Sequence, residues 1–245
     1  MLGFSKGRYT ARVARDAADV SAAQRLRHFA FLGGQGDDAD VDPFDEICTH
    51  ILVEETNTNE LVCCFRLLLL NGGDQIQQSY SAQFYELCAL RDFEGPIVEM
   101  GRFCIHPNHQ DPDILRVAWG AMTAYVDENK VEMLIGCSSF DGTDADEYLD
   151  SFAMLRDQYI APNHWLPKVK APDVFRFATR LNQTPNLRRA RLRMPPLLRT
   201  YLIMGGWVSD HAVVDRDLNT LHVFTGLEIS AIPAARKRLL RAIAA

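Results

Sequence analysis

Two apolar runs, Thr49 to Glu55 and Leu61 to Leu70, flank the polar stretch Glu55 to Glu60, with a turn at Asn57 to Asn59. Apolar runs of this length on either side of a short polar turn predict an antiparallel hairpin. Arg66 divides the second run into Leu61 to Phe65 and Leu67 to Leu70. Both pieces fall far short of the roughly 18 apolar residues that a membrane-spanning helix needs. A buried hairpin therefore anchors the fold, and no transmembrane segment is expected.

Elements of both periods follow one another around this hairpin. Asp16 to Leu32 reads as a helix: Asp19 or Ser21 is placed to cap it, its apolar positions recur at three- and four-residue steps, and Gly33, Gly34 and Gly36 end it. The acidic loop Gly36 to Asp45 leads into the hairpin, and Asn71 to Asp74 breaks its second strand. Gly95 and Pro96 precede a strand over Ile97 to Ile105. A helix over Asp113 to Asn129 comes next, capped by Asp111 or Asp113, with Ile114, Ala118, Ala121, Met122 and Tyr125 on one face. Val131 to Ser138 predicts a buried strand, Asp146 to Tyr159 a helix, Leu197 to Met204 a helix, and His211 to Asp215 and Thr220 to Phe224 late strands. A meander followed by a strand-helix-strand crossover gives an α/β (α+β) class with a mixed, mostly antiparallel sheet flanked by helices. One domain over residues 1–245 is expected, with an irregular, proline-rich basic segment at 162–199 and a short basic helix at 234–245.

The formal net charge of −6 conceals a division. Residues 1–167 carry 12 basic and 27 acidic side chains, whereas residues 168–245 carry 14 and 5. The basic part, with Arg188, Arg189, Arg191 and Arg193 at its centre, suits an acidic protein, anionic lipid or phosphates, or is a solvated arginine-rich surface. No nucleic-acid role is expected, because the remaining chain is acidic and no aromatic platform accompanies the arginines. The first 15 residues lack the features of a secretory signal, so a cytoplasmic location is expected. Six cysteines, mostly within apolar runs, read as reduced packed thiols. No metal site is expected: C-x-x-C is absent, and the seven histidines show no H-x-x-x-H spacing tied to carboxylates.

Glu99 is the most informative acid, since a carboxylate between Val98 and Met100 in a strand is set to be desolvated and so to serve as a base. A buried ion pair with another element, Arg66 for instance, competes with that reading. Arg102, three positions on, belongs to the opposite strand face if the alternation holds. Asp42 and Asp45 either receive a cationic amine or solvate an acidic loop.

These residues carry a resemblance. Leu26-Arg27-His28-Phe29-Ala30-Phe31, the pair Asp42 and Asp45, Arg66, Phe84 and Glu99-x-x-Arg102 resemble the signature of acyl-homoserine-lactone (autoinducer) synthases, whose fold is similar to the GCN5-related N-acetyltransferases (GNAT). Over most of its length the chain is more similar to bacterial L-ornithine N-alpha-acyltransferases of ornithine-lipid synthesis. That likeness rests on Phe44-Asp45-x-x-Cys48-x-His50, Glu99-x-Gly101-Arg102-Phe103-Cys104, Gly136-Cys137-x-Ser139-x-x-Gly142-Thr143-Asp144 and Pro195-Pro196-Leu197-Leu198-x-x-Tyr201-Leu202. Two departures matter. The tryptophan that autoinducer synthases place soon after the Phe31 position is absent, which counts against lactone formation. The glycine-rich pyrophosphate loop of acetyltransferases is replaced by His106 to Asp113, which has no glycine. Such a loop is poorly suited to a coenzyme A pyrophosphate.

The resemblance implies a GNAT-like N-acyltransferase with no tightly bound cofactor. Its donor is a 3-hydroxyacyl chain on the phosphopantetheine of acyl carrier protein, its acceptor is L-ornithine, and its product is lyso-ornithine lipid. Glu99 is the implied general base. Arg27, Phe31, Asp42, Asp45, Arg66, Arg102, Phe103 and Cys104 form the substrate site, and Arg188, Arg189, Arg191 and Arg193 meet the acidic carrier. The patch and the terminal helix also suit peripheral contact with an anionic membrane at its inner face. Another acceptor (glycine, glutamine or lysine), an autoinducer-synthase-like activity, a ping-pong route through Cys104 or Cys137, and a non-catalytic carrier-docking or acyl-sensing role stay open.

Overall fold

A computed structural model describes residues 3–34 and 38–244. Gly36, expected to help end the first helix, lies outside the described residues. The chain opens with strands β1 (Gly3–Lys6) and β2 (Tyr9–Val13), helix α1 (Ala17–Leu32), and strands β3 (Thr49–Glu55), β4 (Leu61–Leu70) and the short β5 (Tyr85–Glu86). It continues through β6 (Ile97–Ile105), α2 (Pro112–Glu128), β7 (Met133–Asp141), α3 (Leu149–Gln158), β8 (Lys168–Val169) and β9 (Val174–Phe175). Then come α4 (Phe177–Arg180), α5 (Leu187–Arg193), α6 (Pro196–Ile203), β10 (Trp207–Val208), β11 (Ala212–Asp215), β12 (Thr220–Glu228) and α7 (Ala234–Ala244). The fold is mixed α/β with mostly antiparallel strands and flanking helices, as the element order predicts.

Two compact units form within it. The first takes Met1–Leu69, Met100–Val131 and Ala234–Ala245. In it β1, β2, β3 and β4 make an antiparallel meander, and the latter half of β6 lies beside β4. The hairpin β1–β2 has no counterpart in the sequence reading, although Tyr9 and Ala11, both buried, alternate with polar neighbours. Helix α1 is capped by Asp16, whose side chain accepts from the Asp19 N–H, rather than by Asp19 or Ser21. Asp19 is engaged elsewhere, accepting two bonds from Arg12 at 2.6 and 2.8 Å. Gly33, at φ 69°, closes the helix in the left-handed region that glycine enters without steric cost. Asp111 caps α2, with Pro112 as its first residue.

The second unit takes Leu70–Glu99 and Glu132–Pro233. Strand β7 pairs antiparallel with β12 along its whole length, and Ile97 to Glu99 of β6 run parallel to Met133 to Ile135. Phe140, Phe152, Phe177, Leu198, Leu202 and Val223 form its core. The stretch 162–199, read as irregular, instead contains α4, α5 and the start of α6. Its helices escape detection because four and seven residues are too few to display a helical period.

Candidate active site

In the first unit, helix α1 turns Arg27 inward with Ala23 and Leu26, β4 supplies Arg66 and β6 supplies Arg102. The segment Pro43–Glu46 forms a 3₁₀ turn closed by a reciprocal cap, in which Asp42 accepts from the Phe44 N–H and Asp45 accepts from the Asp42 N–H. These elements build a closed ring of alternating charge. Arg27 meets Asp40 at 2.8 Å and Asp45 at 2.6 Å; Arg66 meets Asp45 at 2.7 Å and Asp42 at 2.6 Å; Arg102 meets Asp42 at 3.0 Å and Asp40 at 2.9 Å. Gln24 also donates to Asp45, and the Arg66 guanidinium lies 5.5 Å from the Phe44 ring centre.

Burial grades around the ring. The side chains of Arg27, Arg66 and Asp45 are at most 5% exposed, whereas Asp42 reaches 17%. Burial alone would raise the Asp45 carboxyl, but hydrogen bonds from Arg27 and Gln24 outweigh it and hold the group below the usual carboxylate range. Asp42 is held low in the same way, burial being outweighed by Arg66 and then Arg102. Both aspartates are therefore ion-paired rather than solvating a loop. The sequence supplied Arg27, Asp42, Asp45, Arg66 and Arg102 but not Asp40, one acid among several in its loop.

Arg102 has φ 52°, a left-handed conformation inside a strand. This departs from the regular strand alternation on which the opposite-face expectation for Arg102 rests. Beyond it, the Phe103 ring centre lies 5.7 Å from that of Phe65. Cys104 is buried with its sulfur 3.5 Å from Cys64, and Phe31 packs on the cluster they form with Ala23 and Leu26. The hydrogen bond to Cys104, reinforced by burial, pushes the Cys64 thiol well up. Strand β6 ends at Ile105, and the His106 ring turns to Phe29 and His109.

In the second unit Glu99 is 3% exposed and receives converging donors. The Tyr80 N–H reaches one oxygen at 2.6 Å, and the Ser81 N–H and hydroxyl reach the other at 2.8 and 2.5 Å. Ser81 Oγ also lies 3.4 Å from Cys137 Sγ on β7. Tyr80 and Ser81 belong to no sequence motif; their place is set by the 3₁₀ turn Ser81–Gln83. Phe84, part of the autoinducer-synthase likeness, meets His222 edge-on at 5.1 Å. On α5, capped by Asn186, Arg188, Arg189, Arg191 and Arg193 are exposed, with Arg189 3.4 Å from Asp150 and Arg193 3.5 Å from Glu147.

A buried strand acid, an inward guanidinium and carboxylate ring and a mixed sheet coincide with a family match. The model of the acetyltransferase (GNAT) domain matches residues 25–120, which include Glu99 and all six ring residues. The protein is an acyltransferase. It is 33% identical over 239 residues to the L-ornithine N(alpha)-acyltransferase of Rhodobacter capsulatus, covering 91% of each chain. To the enzyme of that name from Rhizobium meliloti it is 27% identical over 238 residues, covering 90% of this chain and 80% of the relative. The chain belongs to the L-ornithine N(alpha)-acyltransferase family. Among solved structures it is similar to FeeM, an N-acyl amino acid synthase from uncultured soil microbes, at 10% identity and a TM-score of 0.49 over 97% of both chains. Among the described residues no helix is long and apolar enough to cross a membrane.

Proposed function

We propose that this protein transfers a 3-hydroxyacyl chain from acyl carrier protein to the α-amino group of L-ornithine, forming lyso-ornithine lipid. The names of its relatives support the acceptor. The glycine-free loop His106 to Asp113 and the exposed arginines of α5 support a carrier-borne donor over coenzyme A.

In this mechanism the amine nitrogen attacks the thioester carbon, the C–N bond forms, and the C–S bond breaks as the pantetheine thiol leaves. Glu99, directly or through one water, takes the amine proton and returns it to the departing sulfur. The observation that carries this role is a buried carboxylate fixed by the Tyr80 and Ser81 donors, a geometry that aims a base instead of letting it wander. Backbone N–H groups near Phe103 and Cys104, beside the left-handed Arg102, are assigned to the oxyanion. Asp42, the most exposed member of the ring, and its partner Arg102 are assigned to the ammonium and carboxylate of the acceptor. We place the enzyme in the cytoplasm, peripheral to the inner face of the membrane, where its product belongs.

The test is Glu99→Gln assayed with holo acyl carrier protein charged with a 3-hydroxyacyl chain and a mixture of ornithine, glycine, glutamine and lysine, the product being read by mass spectrometry. Turnover is expected to fall about 10²- to 10⁴-fold with donor binding retained. Undiminished turnover removes Glu99 from the chemistry, and a product on another amino acid replaces the acceptor.

A further inference from the structure

The turn after β6 and the start of β4 meet in the first unit. The His106 N–H donates to the Val62 carbonyl at 2.8 Å, and the His109 N–H donates to the His106 carbonyl at 2.9 Å. This fastening brings His106 and His109 to Glu60, the residue before β4. One ligand atom from each lies within 4.8 Å of the other two, and His109 Nε2 is already 3.1 Å from Glu60 Oε1. The imidazoles are oriented by packing: their ring centres are 5.1 Å apart in an edge-on arrangement, and His106 is backed by Phe29 at 5.3 Å. Glu60 and His106 also line a cleft of about 440 Å³ with Arg25, Phe29 and Asn108.

We propose that Glu60, His106 and His109 bind a divalent transition metal, with Zn²⁺ the best fit, leaving at least one coordination position for water or an oxyanion. Two imidazoles and a carboxylate are the donor set of open zinc sites, whereas Mg²⁺ and Ca²⁺ favour all-oxygen shells. Ligands each about 2.0–2.2 Å from a shared tetrahedral ion stand roughly 3.5 Å from one another. The Glu60 to His109 separation already falls near that value. Glu60, 46% exposed at its side chain, has room to swing the remaining distance. A surface ion pair between Glu60 and His109 would not require the second imidazole. The H-x-x-H spacing lies on a turn and its carboxylate comes from the β3–β4 connection, far away in sequence, so it has no helical H-x-x-x-H pattern.

The test uses the full-length protein stripped with a chelator and titrated with Zn²⁺ by calorimetry and by competition with a chromophoric chelator, with Co²⁺ as a spectroscopic probe. Wild type is expected to take up one equivalent of Zn²⁺, to show the visible bands of low-symmetry Co²⁺, and to gain thermal stability with the metal. His109→Ala and His106→Ala are expected to weaken Zn²⁺ binding at least tenfold and to lose the metal-dependent rise in Tm. Glu60→Gln, at an exposed position, repeats the test where a histidine variant folds poorly. Failure of wild type to bind Zn²⁺, or equal binding by the wild type, His109→Ala and Glu60→Gln, overturns the proposal.

Discussion

His222 shows how one buried side chain sets a pH response. It is 2% exposed on β12, and the Tyr85 hydroxyl donates to its carbonyl oxygen at 2.7 Å. Burial, with a smaller contribution from His211, pushes its pKa down to about 4. In the unfolded chain a histidine titrates near 6.5, so between the two values the unfolded state binds the proton more readily. Stability is therefore full above about pH 6.5 and declines as pH falls toward 4, by about 3 kcal/mol for this group alone. Urea unfolding at pH 7, 6 and 5 is expected to show that slope in wild type and a flatter one in His222→Gln; parallel curves would refute the burial account. Asp42 and Asp45 act in a separate window. Their carboxyls are held low, so their contribution is complete above the unfolded carboxylate range near 4 and is lost only in stronger acid. Residue type and motif spacing identified Arg27, Asp42, Asp45, Arg66 and Arg102, but ring closure through Asp40 is tertiary and has no local signal.

At the scale of elements, what could be read was what hydrophobic runs and punctuation specify. The bounds of β3, β4 and β6 follow from apolar runs that stop before Asn57 and Asn71 and start after Gly95. The 3₁₀ turns between β4 and β6 have no such pattern, and they hold Tyr80 and Ser81 against Glu99. Gly73 is the tightest point of that stretch. Its N–H donates to the Phe93 carbonyl at 2.7 Å, and a Cβ there would stand only 1.9 Å from the Leu90 carbonyl oxygen. Backbone must move to admit a methyl group. Gly73→Ala is expected to cost about 1–3 kcal/mol, the range for overpacking, read as a lower urea midpoint. An unchanged midpoint would mean that the turn yields without strain.

For the molecule as a whole, the fold class was legible because hairpin, crossover and late strands succeed one another in recognisable order. The partition into two units was not, since the dividing line falls inside β6, between Glu99 and Met100. Charge was legible as well. The basic excess beyond residue 167 includes the exposed α5 arginines, and screening over about 8 Å at physiological salt makes their attraction sensitive to ionic strength. Arg188→Glu combined with Arg191→Glu is expected to raise the KM for the acylated carrier at least tenfold at low salt, and the gap from wild type is expected to narrow at high salt. A KM indifferent to both changes would overturn the carrier docking proposed for α5. The ring of Arg27, Asp40, Arg102, Asp42, Arg66 and Asp45 has a different reach, extending over descent instead of concentration. Every member serves two neighbours, so replacing one strands charge away from water, and compensation must arrive at a second position. A change at any of these six sites is therefore expected to be tolerated only when a second one of the six changes with it.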